Sequence, residues 1–190
     1  KAQKTLLIQK YDSKSITQEI FGAYKAMYFE VAGRTVGTDA RWQSLHDFIK
    51  KGFAELYIAR ETANPTGPML SSAMTWTYKN KSYYALAATL MTHRNSGAGA
   101  LMQWYIIQDL KAKGVTRYEL GWNEEAKILE DVPEKKNINI SHFKSLFGGD
   151  IVPFVKGQKF YDQTYKKSRL ERLSKKYQEI YGNEPNEVQA

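Results

Sequence analysis

The sequence predicts an α+β (or α/β) fold with one central, mostly antiparallel sheet and helices packed against it. Three observations lead there. Apolar residues recur at helical spacing early in the chain. Between residues 55 and 91 the period switches to two, in runs joined by short turns. A long helical run and another strand-like run then follow, which places a helix between strands of one sheet.

Each element has its own reason. Residues 5–9, with Leu6, Leu7 and Ile8, read as a short first strand. Residues 16–32 carry Ile16, Ile20, Ala23, Tyr24, Met27, Tyr28 and Val31 at helical spacing, with Ser15 as the expected N-cap and Gly33 as the stop. Asp39 is expected to cap a second helix over 41–51, with Trp42, Leu45, Phe48 and Ile49 on one face and Gly52 at its end. Residues 55–60 are a strand, and Asn64-Pro65-Thr66-Gly67-Pro68 is a turn. Residues 69–78 and 82–91 are strands around Lys79-Asn80-Lys81, so the three runs form an antiparallel meander. Residues 97–113 are a helix with Leu101, Met102, Tyr105, Ile106 and Leu110 on its apolar face and Gly114 after it. Residues 115–122 read as a strand, 123–139 as a charged loop and 141–147 as a short helix before Gly148-Gly149. Strands are expected over 151–155 and 159–165, then a terminal helix from 166 and a frayed tail over 183–190.

Composition narrows the chemistry. The chain has 190 residues, room for one domain with its own core, and 1–190 reads as a single domain. It has no cysteine, which excludes disulfides, cysteine-ligated zinc and a cysteine nucleophile. His46, His93 and His142 are far apart in sequence and form no metal-ligand pair, so no metal is expected. The net charge of +8 favours anionic partners, such as nucleic acid, anionic lipid or a phosphorylated cofactor. No apolar run approaches the ~18 residues that span a bilayer, and the first ten residues lack signal-peptide character. A cytoplasmic location is the expectation. The chain begins with Lys1 and enters a strand at once, which leaves a trimmed N-terminus open.

Two segments carry candidate chemistry. The first is His93-Arg94-Asn95-Ser96-Gly97-Ala98-Gly99, between a strand and the long helix. Glycines at a helix start let a ligand approach the backbone, and the free N–H groups with the helix dipole attract anions. Arg94 adds a full positive charge. The bland reading is a small-residue turn that starts a helix. The second is Arg117-Tyr118-Glu119-Leu120-Gly121, followed after a loop by His142-Phe143-Lys144-Ser145-Leu146-Phe147-Gly148-Gly149. There Phe143, Leu146 and Phe147 read as core residues, and Lys144 is free to reach an anion or simply to face water. The paired aromatics Tyr83-Tyr84, Trp104-Tyr105 and Phe160-Tyr161 either fill the core or stack on a ligand. Lys166, Lys167, Arg169, Arg172, Lys175 and Lys176 make the terminal helix basic, which suits a solvated face better than tRNA or lipid.

The first segment resembles the pyrophosphate loop of the GNAT acyltransferases, Gln/Arg-x-x-Gly-x-Gly/Ala, with Arg94, Gly97 and Gly99 at the matching positions. The second resembles the Fem-type (FemAB-like) branch, which reads Tyr-Asp-Leu-Gly-Gly, a loop, then Phe-Lys-x-x-Phe-Gly-Gly. Glu119 stands where that pattern has Asp, and Trp122 stands where a glycine is expected.

The resemblance implies a GNAT fold and an acyltransferase using acetyl-CoA or another acyl-CoA. Leu90, Thr92, Arg94, Gly97, Ala98 and Gly99 would hold the donor, and backbone N–H groups near Leu90 and Thr92 would face the developing oxyanion. Glu119, His142 and Lys144 are the catalytic candidates, with Glu124 and His93 as lesser alternatives for the base. The acceptor would be an amine or hydroxyl of a small molecule or glycan precursor. Two rivals follow. One is the Fem-type reaction of the cell envelope, which takes an aminoacyl group from tRNA to peptidoglycan cross-bridges. The other is a GNAT-like module that only binds a partner. Monomer and homodimer are both open.

Overall fold

The computed structural model describes residues 2–124, 135–153, 157 and 159–182, without the side chains of Gln3, Ile180 and Tyr181. These fall into two compact units, residues 1–121 and 122–190.

The first unit is an α+β layer structure. A short helix α1 (Ala2–Thr5) leads into β1 (Leu6–Tyr11), then α2 (Gln18–Ala32) and α3 (Asp39–Lys50). β2 (Ala54–Glu61), β3 (Ser71–Tyr78) and β4 (Lys81–Thr89) form the expected meander. A 3₁₀ turn over Met91–His93 precedes α4 (Ala98–Ala112), and β5 (Arg117–Glu119) closes the sheet. Its five strands lie in the order β1-β2-β3-β4-β5. All neighbours are antiparallel except β4 and β5, which are parallel because α4 carries the chain back across the sheet.

Strand alternation splits the core. Leu56, Ile58 and Met74 face α2 and α3 and pack with Tyr24, Trp42 and Ile49. Tyr57, Ala59 and Ala73 face the other way and pack with Met102, Ile106 and Leu110 of α4. Leu56, Ile58, Met74 and Ile49 are completely buried, so truncating Leu56 to alanine would cost about 2–5 kcal/mol.

The caps differ from expectation by one or two residues. Asp12 Oδ1 accepts from Ser15 N at 3.0 Å and from Ser15 Oγ at 2.8 Å, which holds Ser15 in a turn. Thr17 caps α2 instead, accepting from Ile20 N at 3.2 Å. Thr38 caps α3, accepting from Arg41 N at 3.2 Å. Asp39 then lies in the first helical turn, where its carboxylate pairs with Lys25 at 2.6 Å.

In the second unit, α5 (Lys135–Ser145) begins inside the stretch expected to be loop and ends before the predicted stop at 147. The strand expected over 159–165 does not form. Asp162 Oδ1 accepts from Thr164 N at 2.7 Å and Tyr165 N at 3.0 Å, and this cap starts α6 (Gln163–Tyr181). The capping bonds outweigh the β preference of Phe160 and Tyr161. Ile151, Val152 and Pro153 are in no strand, and Val155 and the tail 183–190 lie outside the described residues.

Candidate active site

The candidate site begins where β4 and β5 part. Their parallel ladder has three rungs, Lys81 with Arg117, Ser82 with Tyr118 and Tyr83 with Glu119. β4 runs on to Thr89, whereas β5 ends at Glu119 rather than at the expected 122. The cause is a β-bulge. Met74 opposes Leu86 and Thr75 opposes Tyr84, so Ala85 is an extra residue without a partner. A bulge bends its strand and increases its twist, which turns β4 away just as the ladder to β5 ends.

The notch exposes main-chain groups. Leu90 N donates to Leu70 O at 3.0 Å, so residue 90 faces β3. Antiparallel alternation then turns the N–H and C=O of Ala87 and Thr89 toward the vacated β5 side. The expected amide of Leu90 is thus engaged within the sheet, and Thr89 takes its place at the notch. Thr92 lies in the 3₁₀ turn, exposed, with its hydroxyl 2.9 Å from His93 Nδ1.

Beyond the strand the chain enters the N-terminus of α4. Gly97 is the N-cap at φ 80°, in the left-handed region that favours glycine. It supplies no side-chain cap. Ser96 Oγ accepts from Ala98 N at 3.2 Å, and Leu101 N makes the first bond of the helix, to Gly97 O at 3.0 Å. Gly99 and Ala100, between them, have no helical acceptor for their N–H groups. Arg94 is exposed beside this turn, and Ala98 is buried beneath it. A Cβ on Gly97 would meet Ala2 Cβ at 3.3 Å. Free amides, a helix dipole and an exposed guanidinium suit a phosphate-bearing ligand.

On the α4 face of the notch stand Tyr84 and Tyr118. Tyr118 donates to Oε1 of the buried Gln103 at 3.0 Å. Burial pushes the Tyr84 phenol up to about 12, so it stays protonated at neutral pH. On the opposite face Glu119 is exposed beside Tyr83 and lines an open groove with Phe48, Phe53, Trp76 and Tyr78. Tyr83 and Tyr84 are consecutive in regular register ahead of the bulge, so ordinary strand alternation puts them on opposite faces.

In the second unit, His142 is exposed on α5 and its carbonyl accepts from Ser145 Oγ at 2.7 Å. Lys144 is half-buried and donates from Nζ to Trp122 O at 2.9 Å. Burial holds its ammonium below the usual lysine range, against the opposing pull of Glu124. Glu124 N donates to Oγ of the buried Ser141 at 2.7 Å. Lys144 and Ser141 therefore fix the segment after Gly121 to α5 by its main chain, a role that sequence spacing did not reveal. Among the described residues, no group of His, Asp and Glu could hold a metal ion, and no helix is long and apolar enough to cross a membrane.

Comparisons with known proteins agree with this architecture. An aminoglycoside acetyltransferase from an uncultured soil metagenomic sample, solved with sisomicin, superposes with a TM-score of 0.60 at 11% identity, over 84% of this chain and 100% of that one. Aminoglycoside N-acetyltransferase AAC(6')-Iy with CoA gives 0.58 at 10% identity, over 83% and 95%. A transcriptional regulator from Bacillus halodurans C-125 gives 0.57 at 15% identity, over 82% and 99%. At such identities the likeness is one of fold. No curated protein sequence matches the chain. A family model described as an acetyltransferase (GNAT) domain matches residues 22–135, more than half of the chain, from within α2 through β5, and the chain belongs to that GNAT acetyltransferase family.

Proposed function

We propose that the domain transfers an acetyl group from acetyl-CoA to the amine of a small-molecule acceptor. One observation carries the reading: the N-terminus of α4, whose N-cap Gly97 supplies no side chain, follows the same strand whose partner has just diverged. The anion-binding amides of Gly99 and Ala100, the open edge at Ala87 and Thr89, and Glu119 thus follow one another along β4 and its neighbour. A ligand with a pyrophosphate at one end and a thioester at the other fits that sequence of groups.

The donor supplies an activated acyl carbon, to which the acceptor nitrogen bonds as the C–S bond breaks and the thiolate leaves. Glu119 removes the proton that the nitrogen sheds. Main-chain N–H groups at the β4 edge face the carbonyl oxygen as charge develops there. Tyr84, protonated at neutral pH and one residue beyond the last rung of the ladder, returns a proton to the thiolate. Arg94 with the α4 amides holds the phosphates. Lys144 acts through the main chain as a positioning residue, by fixing the Trp122 carbonyl.

Thermal unfolding with acetyl-CoA, free CoA and bulk aminoacyl-tRNA tests the donor. A donor at ~100 times its Kd adds about 2.7 kcal/mol of stability. Stabilisation by both CoA species is expected. Stabilisation by aminoacyl-tRNA alone would turn the reading to the Fem-type reaction, and none by any of them would leave a binding module.

A further inference from the structure

The groove beside Glu119 has an aromatic wall. Phe48, Phe53, Trp76, Tyr78 and Tyr83 surround a cavity of about 400 Å³. Their rings form a chain: centroids lie 6.3 Å apart for Phe48 and Phe53, 6.0 Å for Phe48 and Trp76, and 6.0 Å for Trp76 and Tyr83. Phe48, Phe53 and Tyr78 keep 43%, 48% and 68% of their surface exposed. Core packing does not account for rings that cover one another on one side and face water on the other. Trp76 Nε1 is buried, and among the described residues it has no hydrogen-bond partner.

Charge limits what this wall accepts. Glu119 is the carboxylate of the lining and Lys81 its cation. Lys79 Nζ lies 5.4 Å from the Tyr78 ring centroid, adding a second positive charge at the rim. A ligand with several ammonium groups meets repulsion from two lysines and attraction from one carboxylate. A ligand with one ammonium pairs with Glu119 and gains from the ring faces. A flat apolar body covers the rings.

We propose that this groove holds the acceptor and that the acceptor is a monoamine with a flat apolar body, of the arylalkylamine class, in contrast to a polycationic amino sugar. The acceptor role rests on the acetyltransferase reading; recognition by the rings does not depend on the donor. Tryptamine, n-butylamine and sisomicin serve as probes, first in calorimetric binding to the full chain and then in acetyl-CoA turnover followed by thiol release. Tryptamine is expected to bind and to show kcat/KM at least about tenfold above butylamine, with sisomicin no better than butylamine. Phe53→Ala and Tyr78→Ala, at exposed positions and checked for unchanged Tm, should raise KM for tryptamine about fivefold, and by clearly more than they raise that for butylamine.

Equal use of tryptamine and butylamine, preference for sisomicin, or an unchanged tryptamine KM in both variants overturns the proposal. So does failure of tryptamine to bind. Tryptamine bound without acetyl transfer overturns the acceptor assignment alone when acetyl-CoA still stabilises the fold, and overturns the donor reading with it when acetyl-CoA does not.

Discussion

Tyr83 and Glu119 face each other across the last rung of the parallel β4–β5 ladder, and beyond them the two strands share no pairing. The bulge at Ala85 follows directly. A carboxylate is thereby fixed by sheet geometry at the point where main-chain groups become available to a ligand.

That placement makes Glu119→Gln the most direct test of the base. The amide keeps the shape and removes the proton acceptor. We expect kcat to fall about 100-fold with KM for acetyl-CoA unchanged, as for loss of a group that acts in the transition state. Steady-state kinetics with the donor varied separates this from a binding defect.

Arg94→Met tests the donor loop without disturbing the fold, because Arg94 is exposed. KM for acetyl-CoA should rise roughly tenfold and its salt dependence should flatten, while Tm stays the same. Gly97→Ala is different in kind. It places a Cβ at φ 80° and 3.3 Å from Ala2 Cβ, so about 1–2 kcal/mol of stability should be lost along with donor affinity. Urea unfolding reports the first effect and acetyl-CoA titration the second.

Lys144 carries a pH signature. Its folded pKa is depressed by burial, so the unfolded chain binds more protons between that pKa and the ordinary value of 10.5. Stability from this group therefore rises as pH climbs through that window. Lys144→Met should remove the rise and also free the Trp122 carbonyl. Urea midpoints of both proteins between pH 8 and 10.5 would show it; parallel curves would count against a buried ammonium.

Asp109 anchors a polar network under α4. It pairs with Lys10 at 2.8 Å and Lys113 at 2.5 Å and is hydrogen-bonded to the buried Tyr57 hydroxyl at 2.8 Å; Glu55 also pairs with Lys113. Although its own burial opposes ionisation, bonds from Lys10, Lys113 and Tyr57 hold its carboxyl below the ordinary range. The sign follows: the contribution is present above pH ~4 and is lost as pH falls through the depressed pKa. Lys10, raised by Asp109, contributes below pH 10.5 and loses that contribution as pH rises through its own elevated pKa. Asp109→Asn should lower stability by about 1–3 kcal/mol at pH 7 and shrink the difference from wild type in acid. Chemical denaturation from pH 2 to 7 tests both statements.

Much of the fold was legible from periodicity alone. The meander, α2, α3 and α4 needed only apolar spacing and the glycines at 33, 52 and 114, because each element's buried face is written in its own residues. The loop at Arg94 to Gly99 was legible too, since a glycine at a helix start states its conformation locally. The caps were misread by one or two residues because Ser15, Thr17, Thr38 and Asp39 are chemically equivalent at that level, and only the competing bonds to Asp12 and Lys25 distinguish them.

By itself, then, the sequence determined the meander, α2, α3 and α4, the glycine-led turn that starts α4 and the strand that carries Glu119, whereas the strand it offered over 159–165 became the start of α6 and α5 begins inside its expected loop. Tertiary structure decided where that strand stops, which face Glu119 takes, that Thr89 and not Leu90 turns its amide to the notch, and that Lys144 binds a main-chain carbonyl. The physical reason is that these depend on partners distant in sequence: Glu119 takes its place from its rung with Tyr83, Lys144 from the Trp122 carbonyl, and Thr89 from the register of β4. A single unpaired residue, Ala85, shifts β4 by one position against β3, and a shift of one residue reverses which side of the strand every later group faces.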